Sequence, residues 1–126
     1  MHNLHAHLVF TTKYRRAVFT NPLLTTCEDA MRGVCADFDA TLTEFNGEGD
    51  HVHLLVQYPP TVALSRLVNS LKGVSSRALR AHHPREVKSM LWGEQFWSPS
   101  YFAGSCGGAP LSVVADYITH QKHSGY

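Results

Sequence analysis

Two histidines separated by one residue, His51 and His53, are the side chains of this chain whose type and spacing most clearly suggest chemistry. Turn-forming residues occupy positions 47–50 before them and an aliphatic run occupies 54–56 after them, so the pattern predicts a β-strand. Alternate residues of a strand share one face, which places the two imidazoles about 6–7 Å apart. Both rings could therefore reach one divalent cation, and a cation facing a nucleophile supports phosphoryl chemistry.

A His-x-His pattern is short, and a strand that carries two surface imidazoles explains it equally well. The first predicted strand contains the same spacing at His5 and His7. We interpret those two as sheet-face or ligand-contact residues. The pair at His51 and His53 is favoured as a metal site because it follows an acidic turn.

A candidate nucleophile and a candidate third ligand lie near the end of the sequence. Tyr117 and Gln121 are four residues apart in a predicted helix, so they share one helical face. A glutamine carbonyl oxygen is a hard ligand that suits magnesium or manganese. The alternative is that Tyr117 packs on the sheet and Gln121 is a solvated neighbour.

Seven segments have a recognisable secondary-structure pattern. Strands are predicted at 4–12, 39–45, 50–57 and 99–104, and a turn at 46–49 joins the second to the third. Helices are predicted from Asn21-Pro22 to 38, over 62–82 and over 111–122. The order β-α-β-β-α-β-α predicts one α+β domain, residues 1–126, with a ferredoxin-like antiparallel sheet, helices on one face and an added C-terminal helix that carries Tyr117.

The central helix has two distinct sides. Its apolar side is predicted to face the core and comprises Leu64, Leu67, Leu71, Val74 and Ala78, and the opposite side carries Arg66, Arg77 and Arg80. The net charge is only +1, but acids dominate residues 21–50 and bases dominate residues 61–90. A basic side of this kind suits a phosphate-rich ligand.

The composition and the termini exclude several protein classes. The sequence has no long apolar run and its start lacks the pattern of a secretory signal, so we expect a cytoplasmic protein with no membrane contact. Cys27, Cys35 and Cys106 are odd in number and contain no CxxC spacing, which predicts reduced thiols with a packing role. No nucleotide-binding glycine motif is present, so no nucleotide cofactor is expected.

Five stretches together resemble one known family. They are HLVFTTKYR at 7–15, DHVHLLV at 50–56, LKG at 71–73, FWSPSYF at 96–102 and DYITHQ at 116–121. The chain resembles the small single-tyrosine HUH transposases of bacterial insertion sequences, which act on single-stranded DNA. It departs from their pattern in its short segment after Gln121 and in carrying His120 beside that residue.

The resemblance implies a site and a reaction. His51, His53 and Gln121 would be ligands of Mg²⁺ or Mn²⁺, and Tyr117 would be the nucleophile that forms a 5′-phosphotyrosine link. It also implies recognition of DNA hairpins and a homodimer in which the tyrosine helix of one subunit can complete the histidine site of the other. DNA phosphates would be bound by the basic residues Lys13, Arg15, Arg16, Arg66, Lys72, Arg77 and Arg80.

Two questions stay open from the sequence. Five aromatic residues could stack unpaired bases, although core packing explains most of them: Trp92, Phe96, Trp97, Tyr101 and Phe102. The whole chain could instead be a non-catalytic ferredoxin-like module that binds single-stranded nucleic acid, or a related repeat-associated HUH nuclease. A replication-initiation relaxase is disfavoured by the short chain.

Overall fold

Four strands form a single antiparallel sheet in a computed structural model, which describes residues 3–93 and 95–105. The elements are β1 (Leu4–Thr12), a 3₁₀ turn (Lys13–Arg15), α1 (Asn21–Asp37), β2 (Thr41–Glu48), β3 (His51–Tyr58), α2 (Leu64–His82), α3 (Pro84–Leu91) and β4 (Trp97–Ser105). The strand order is β2-β3-β1-β4, with every neighbouring pair antiparallel. This confirms the predicted α+β ferredoxin-like sheet, and the predicted last helix, 111–122, lies outside the described residues.

The core lies between the helices and one face of the sheet. From Ala6 to Phe10 in β1 and along all of β3 every second side chain is buried, which includes Leu8, Phe10, Val52 and Leu54, all at most 1% exposed. The side chains between these buried positions form the open face. Since the side-chain period of a strand is two, this alternation fixes which face carries the histidines.

The predicted hairpin turn at 46–49 is wrong, because β2 continues through it to Glu48. Glu48 pairs with His51, and Gly47 pairs with Val52. A Cβ on Gly47 would lie 2.8 Å from the carbonyl oxygen of His51 and 2.9 Å from Leu24 Cδ2, so only glycine allows this approach. The chain instead reverses at Gly49 and Asp50, where Gly49 has a φ of 58°.

The buried side of α2 is rotated relative to the prediction. Its buried residues are Leu67, Val68, Leu71, Ser75 and Leu79, and the predicted core residues Leu64, Val74 and Ala78 are half-buried. Ser75 is central because its Oγ accepts a hydrogen bond of 3.0 Å from Trp97 Nε1. Trp97 opens β4, which begins two residues before the predicted start.

Helix boundaries differ from the prediction in two places. Asn21 was predicted to be the N-cap of the first helix, but α1 begins at Asn21 and Thr20 occupies the N-cap position. Pro84 ends α2 as predicted and also begins α3, a helix that is not predicted from the sequence. Val87 and Leu91 bury this short helix against the core. Among the described helices none is long and apolar enough to cross a bilayer.

Candidate functional site

β3 places His51 and His53 side by side on the open face of the sheet. Their ring centroids are 5.0 Å apart and their planes are at 80°. Val52, between them, is fully buried on the helix-covered face. The strand and its alternation are therefore as predicted, and both rings are half-buried.

A charged side chain holds the first imidazole. Nδ1 of His51 is 2.9 Å from Asp50 Oδ1, and Nε of Arg15 donates to Asp50 Oδ2 at 3.1 Å. Partial burial acts to raise the pKa of Asp50, but hydrogen bonds from His51 and Arg15 outweigh it and leave that pKa below its ordinary value. An ionised carboxylate only accepts hydrogen bonds, so Nδ1 of His51 is the nitrogen that carries the proton.

A third histidine, His7, contacts the imidazole of His53. His7, on β1, stacks on His53 with centroids 5.5 Å apart and planes at 20°, and its Nε2 lies 3.4 Å from Nδ1 of His53. Phe102, on β4, packs its ring edge-on against His7 at 5.6 Å. Partial burial, and then the neighbouring His51 and His7, lower the pKa of His53, which favours the neutral ring that a metal requires.

The two rings share a feature that suits ligation. The Nδ1 of each ring contacts a neighbouring side chain. Nε2 is therefore the nitrogen of each ring that could bind a cation. Within residues 3–93 and 95–105 no group of three histidine, cysteine or acidic side chains could by itself hold a metal ion. The donor set fits a first-row divalent cation only with an added ligand, and the predicted Gln121 and Tyr117 lie outside the described residues.

Two of these contacts are not predicted from the sequence. Of the two roles predicted for His7, sheet-face or ligand-contact residue, the structure confirms the position on the sheet face. Its contact with His53 depends on the register that pairs Val9 with His53. The sequence pattern predicts Asp50 only as part of an acidic turn. Its position directly before the histidine pair was the available signal, since a carboxylate beside a ligating histidine commonly orients the ring.

The predicted DNA-binding bases fall into separate places. Lys13, Arg15 and Arg16 lie together in and after the 3₁₀ turn, beside His51 through the Asp50 contact. Arg66 and Arg77 are exposed on α2, but Arg66 lines a shallow pocket together with Asp37 and Asp39. Arg66 thus lies near two acidic residues, and a DNA contact by it stays a prediction.

Lys72 and Arg80 line a cavity of about 570 Å³ between α2 and the start of β4. Nζ of Lys72 donates to the carbonyl of Ser98 at 2.8 Å and lies 5.5 Å from the ring centroid of Tyr101. Burial lowers the pKa of Lys72. This side chain therefore anchors the start of β4, and a phosphate contact by it stays a prediction.

The aromatic residues divide sharply in exposure. Phe96, Trp97 and Phe102 are buried, at 2%, 4% and 7% exposed, which confirms packing for these three. Trp92 is 70% exposed and Tyr14, in the 3₁₀ turn, is 62% exposed. Among the described residues, these two are the large aromatic side chains that are mostly exposed.

The sequence matches a known family over most of its length. Residues 1–121 match the family described as "Transposase IS200 like". The ISDra2 transposase TnpA of Deinococcus radiodurans is 33% identical over 121 residues, covering 96% of this chain and 86% of that protein. The transposase for insertion sequence element IS200 of Salmonella typhimurium is 29% identical, covering 94% of this chain and 77% of that protein.

Solved structures share the fold. A Deinococcus radiodurans R1 protein whose crystal structure is described as that of a transposase superimposes with a TM-score of 0.80 at 28% identity, over 96% of this chain and 92% of its own. The structure of a REP-associated tyrosine transposase bound to a REP hairpin gives a TM-score of 0.63 over 100% of this chain and 72% of its own. At 13% identity the second comparison shows the fold alone.

Proposed function

Since the chain belongs to the family of IS200-like transposases, we propose that it cleaves and rejoins single-stranded DNA at the ends of an insertion sequence. The observation that carries the proposal is the pair His51 and His53 on the open sheet face, each ring held through Nδ1 by a neighbouring side chain. A surface pair with no function would not need Asp50, Arg15 and His7 arranged around it. The protein is proposed to act on DNA in the cytoplasm.

The metal site is proposed to consist of His51, His53 and Gln121, with Mg²⁺ or Mn²⁺ as the cofactor. Such an ion would polarise the scissile phosphate and offset charge on the leaving oxygen. Asp50 would orient His51, and His7 would orient His53 by accepting a hydrogen bond from its Nδ1. Both contacts matter because a ring ligates through Nε2 only when the proton is on Nδ1.

Tyr117 is proposed as the nucleophile. An unperturbed tyrosine hydroxyl has a pKa of about 10, so its proton must be lost as its Oη attacks the phosphorus. The bond from Oη to phosphorus forms, the bond from phosphorus to the 3′ oxygen breaks, and that oxygen leaves as a free 3′-OH. The resulting 5′-phosphotyrosine retains the phosphodiester's bond energy, so a 3′-OH can reverse the step without ATP or another nucleotide.

Hairpin DNA is the proposed partner. The REP-associated transposase that shares this fold is described as bound to a hairpin. Lys13, Arg15 and Arg16 lie together in and after one turn, and Arg15 contacts Asp50 beside His51. The other bases proposed to contact DNA are Arg66, Lys72, Arg77 and Arg80. Insertion-sequence ends are favoured over repeat-associated DNA because the 33% identical relative is the transposase of an insertion sequence.

The decisive experiment is a covalent-adduct assay with Tyr117→Phe. Wild-type protein with Mn²⁺ and a library of hairpin-bearing single strands should give a protein–DNA adduct that survives denaturing electrophoresis. Tyr117→Phe should give none while still binding the strand, and Tyr126→Phe is the matched control that should retain the adduct. An adduct on Tyr117→Phe would reject this nucleophile, and no wild-type adduct on any strand would favour the binding-module alternative.

Homodimers with shared sites are part of the proposal. His53→Ala lacks a ligand but keeps Tyr117, and Tyr117→Phe lacks the nucleophile but keeps the histidines. If the tyrosine helix of one subunit completes the site of the other, mixing the two inactive variants should restore an adduct on the His53→Ala subunit. A mixture that stays inactive, with exchange of subunits verified, would place each site within one subunit.

A further inference from the structure

Two exposed aromatic rings flank one guanidinium beside the histidine site. Cζ of Arg16 lies 5.1 Å from the ring centroid of Trp92 and 5.8 Å from that of Tyr14. Nζ of Lys13 lies 5.3 Å from the Tyr14 ring on the same turn. These distances fit cation–π contact, so the rings and charges form one cluster although Trp92 is far away in the sequence.

The fold itself does not require large side chains at these two positions. Trp92 is the C-cap of α3 with a φ of 49°, and Tyr14 has a φ of 58°. A left-handed φ is the conformation that glycine adopts with least strain, and a bulky residue there is costly. Because both rings stay exposed, burial does not offset that cost, which points to a contact made outside the chain.

We propose that Tyr14, Arg16 and Trp92 form a stacking site for an unpaired nucleotide of the DNA strand that this protein processes. The inference rests on the proposed function and names where the strand is bound. Base–aromatic stacking is tolerant of sequence, and Arg16 and Lys13 supply positive charge for the adjoining phosphates. We call Tyr14, Arg16 and Trp92 together the stacking site.

The positive charge near the stacking site favours nucleic acid, rather than a second copy of the chain, as the partner that covers it. Lys88 and Arg80 line a groove of about 290 Å³ that runs past Trp92 and Gly93, and Arg80 also lines the larger cavity beside Lys72. A self-complementary contact would bring these positive groups together on both subunits, which is unfavourable. A strand of phosphates would neutralise them.

The stacking site is also connected to the histidine pair. Arg15, between Tyr14 and Arg16, donates to Asp50, and Asp50 contacts His51. The backbone N–H of Thr12, just before the turn, donates to the carbonyl of Asp50 at 2.8 Å. A nucleotide stacked on Trp92 would therefore lie on the strand that leads to the scissile phosphate.

Fluorescence separates the two tryptophans and gives a direct test. The chain has two tryptophans, and Trp97 is 4% exposed with its Nε1 bonded to Ser75. A single-stranded dT oligomer added to the Tyr117→Phe protein, which cannot cleave, should quench tryptophan emission saturably. The quenching should be lost in Trp92→Phe, where only Trp97 emits, and a duplex of equal length should quench much less.

Affinity provides the second readout. Trp92→Ala and Tyr14→Ala should each weaken binding of the dT oligomer by about tenfold, which corresponds to loss of one stacked base. Leu4→Ala is the matched control, because Leu4 is an exposed apolar residue of the described chain that lies outside the stacking site. Its binding should equal that of the parent protein.

Several outcomes would overturn the stacking site. They are binding without quenching, unchanged affinity in both alanine variants, or burial of Trp92 on concentrating the protein without DNA, which would mean that a second copy covers it. A wild-type adduct together with unquenched Trp92 would reject the stacking site and leave the proposed chemistry standing. Quenching of the Tyr117→Phe protein together with no wild-type adduct on any hairpin-bearing strand would do the reverse, and no binding of the dT oligomer would reject the stacking site.

Discussion

His51 and His53 are held by different kinds of partner, and each partner has a separate consequence. Asp50 fixes the proton of His51 electrostatically, because it is an ionised acceptor also bonded to Arg15. His7 can either donate to or accept from His53, since a neutral imidazole does both. A cation bound through Nε2 would select the arrangement in which His7 accepts.

Asp50→Asn should weaken Mn²⁺ binding by about 10- to 100-fold, the usual effect of losing an orienting partner. An amide can present its NH₂ to His51 as readily as its oxygen, so the proton is no longer confined to Nδ1. Electron paramagnetic resonance of free Mn²⁺ measures the affinity without any DNA. Asp39→Asn, an exposed acid to amide change in another turn, is the control, and equal affinities in the two variants would refute the role of Asp50.

His7→Phe should also weaken Mn²⁺ binding, by about tenfold. The phenyl ring keeps the stacking on His53 but removes the hydrogen-bond acceptor, so the effect isolates the contact at Nε2. Nitrogen chemical shifts of His53 should show a loss of the Nδ1-protonated form in the metal-free protein. His5→Phe changes the other histidine of the same strand face and should leave both measurements unchanged.

At the scale of elements, the β2–β3 hairpin determines where the histidines stand. Glycine at position 47 lets β2 approach the backbone of His51 and the side chain of Leu24 from α1. This contact ties the start of β3 to the helix layer. The hairpin is therefore part of the site as well as of the fold.

Gly47→Ala should lower the free energy of unfolding by about 1–3 kcal/mol, because the added methyl would lie within 3 Å of backbone and side-chain atoms. Gly33→Ala is the matched control, since Gly33 is exposed in α1 and a Cβ there meets nothing within 4 Å. It should instead stabilise the protein by up to about 1 kcal/mol through helix propensity. Urea unfolding measures both, and destabilisation by the two changes alike would contradict the packing argument.

For the molecule as a whole, one hydrophobic core underlies both the helix-covered side and the open sheet face that carries the candidate site. The helices and the inner sheet face bury the apolar residues, and the described cysteines Cys27 and Cys35 belong to that core. The open sheet face and the adjoining 3₁₀ turn carry the histidines, Asp50 and the stacking site. Unfolding should therefore expose the thiols and dismantle the site together.

The two buried thiols should react only when the protein unfolds. Burial raises the pKa of Cys35 to about 11 and raises that of Cys27 further, so at pH 8 little thiolate exists and access is blocked. In Cys106→Ser, labelling by a disulfide reagent should be slow in buffer and complete in denaturing urea. Rapid labelling of the native protein at pH 8 would show that the core opens locally.

The sequence alone predicted the element order, the strand that carries His51 and His53, and the family that implies their role. These rest on local signals: alternation along β3, helical spacing along α2, and motifs read within short windows. The turn at 46–49 and the buried side of α2 were misplaced for the same reason. A local pattern carries no information about contacts between distant residues, such as Gly47 with Leu24 or Ser75 with Trp97.

Contacts between distant segments were decided only by the tertiary structure. The β1–β3 register brings His7 to His53, and the chain reversal at Gly49 and Asp50 brings Asp50 to Arg15. Packing of α3 brings Trp92 to Arg16, across residues whose spacing gives no hint of it. The sequence determined that two imidazoles share one face, and the pairing of strands determined which side chains orient them, because register is a property of two segments at once.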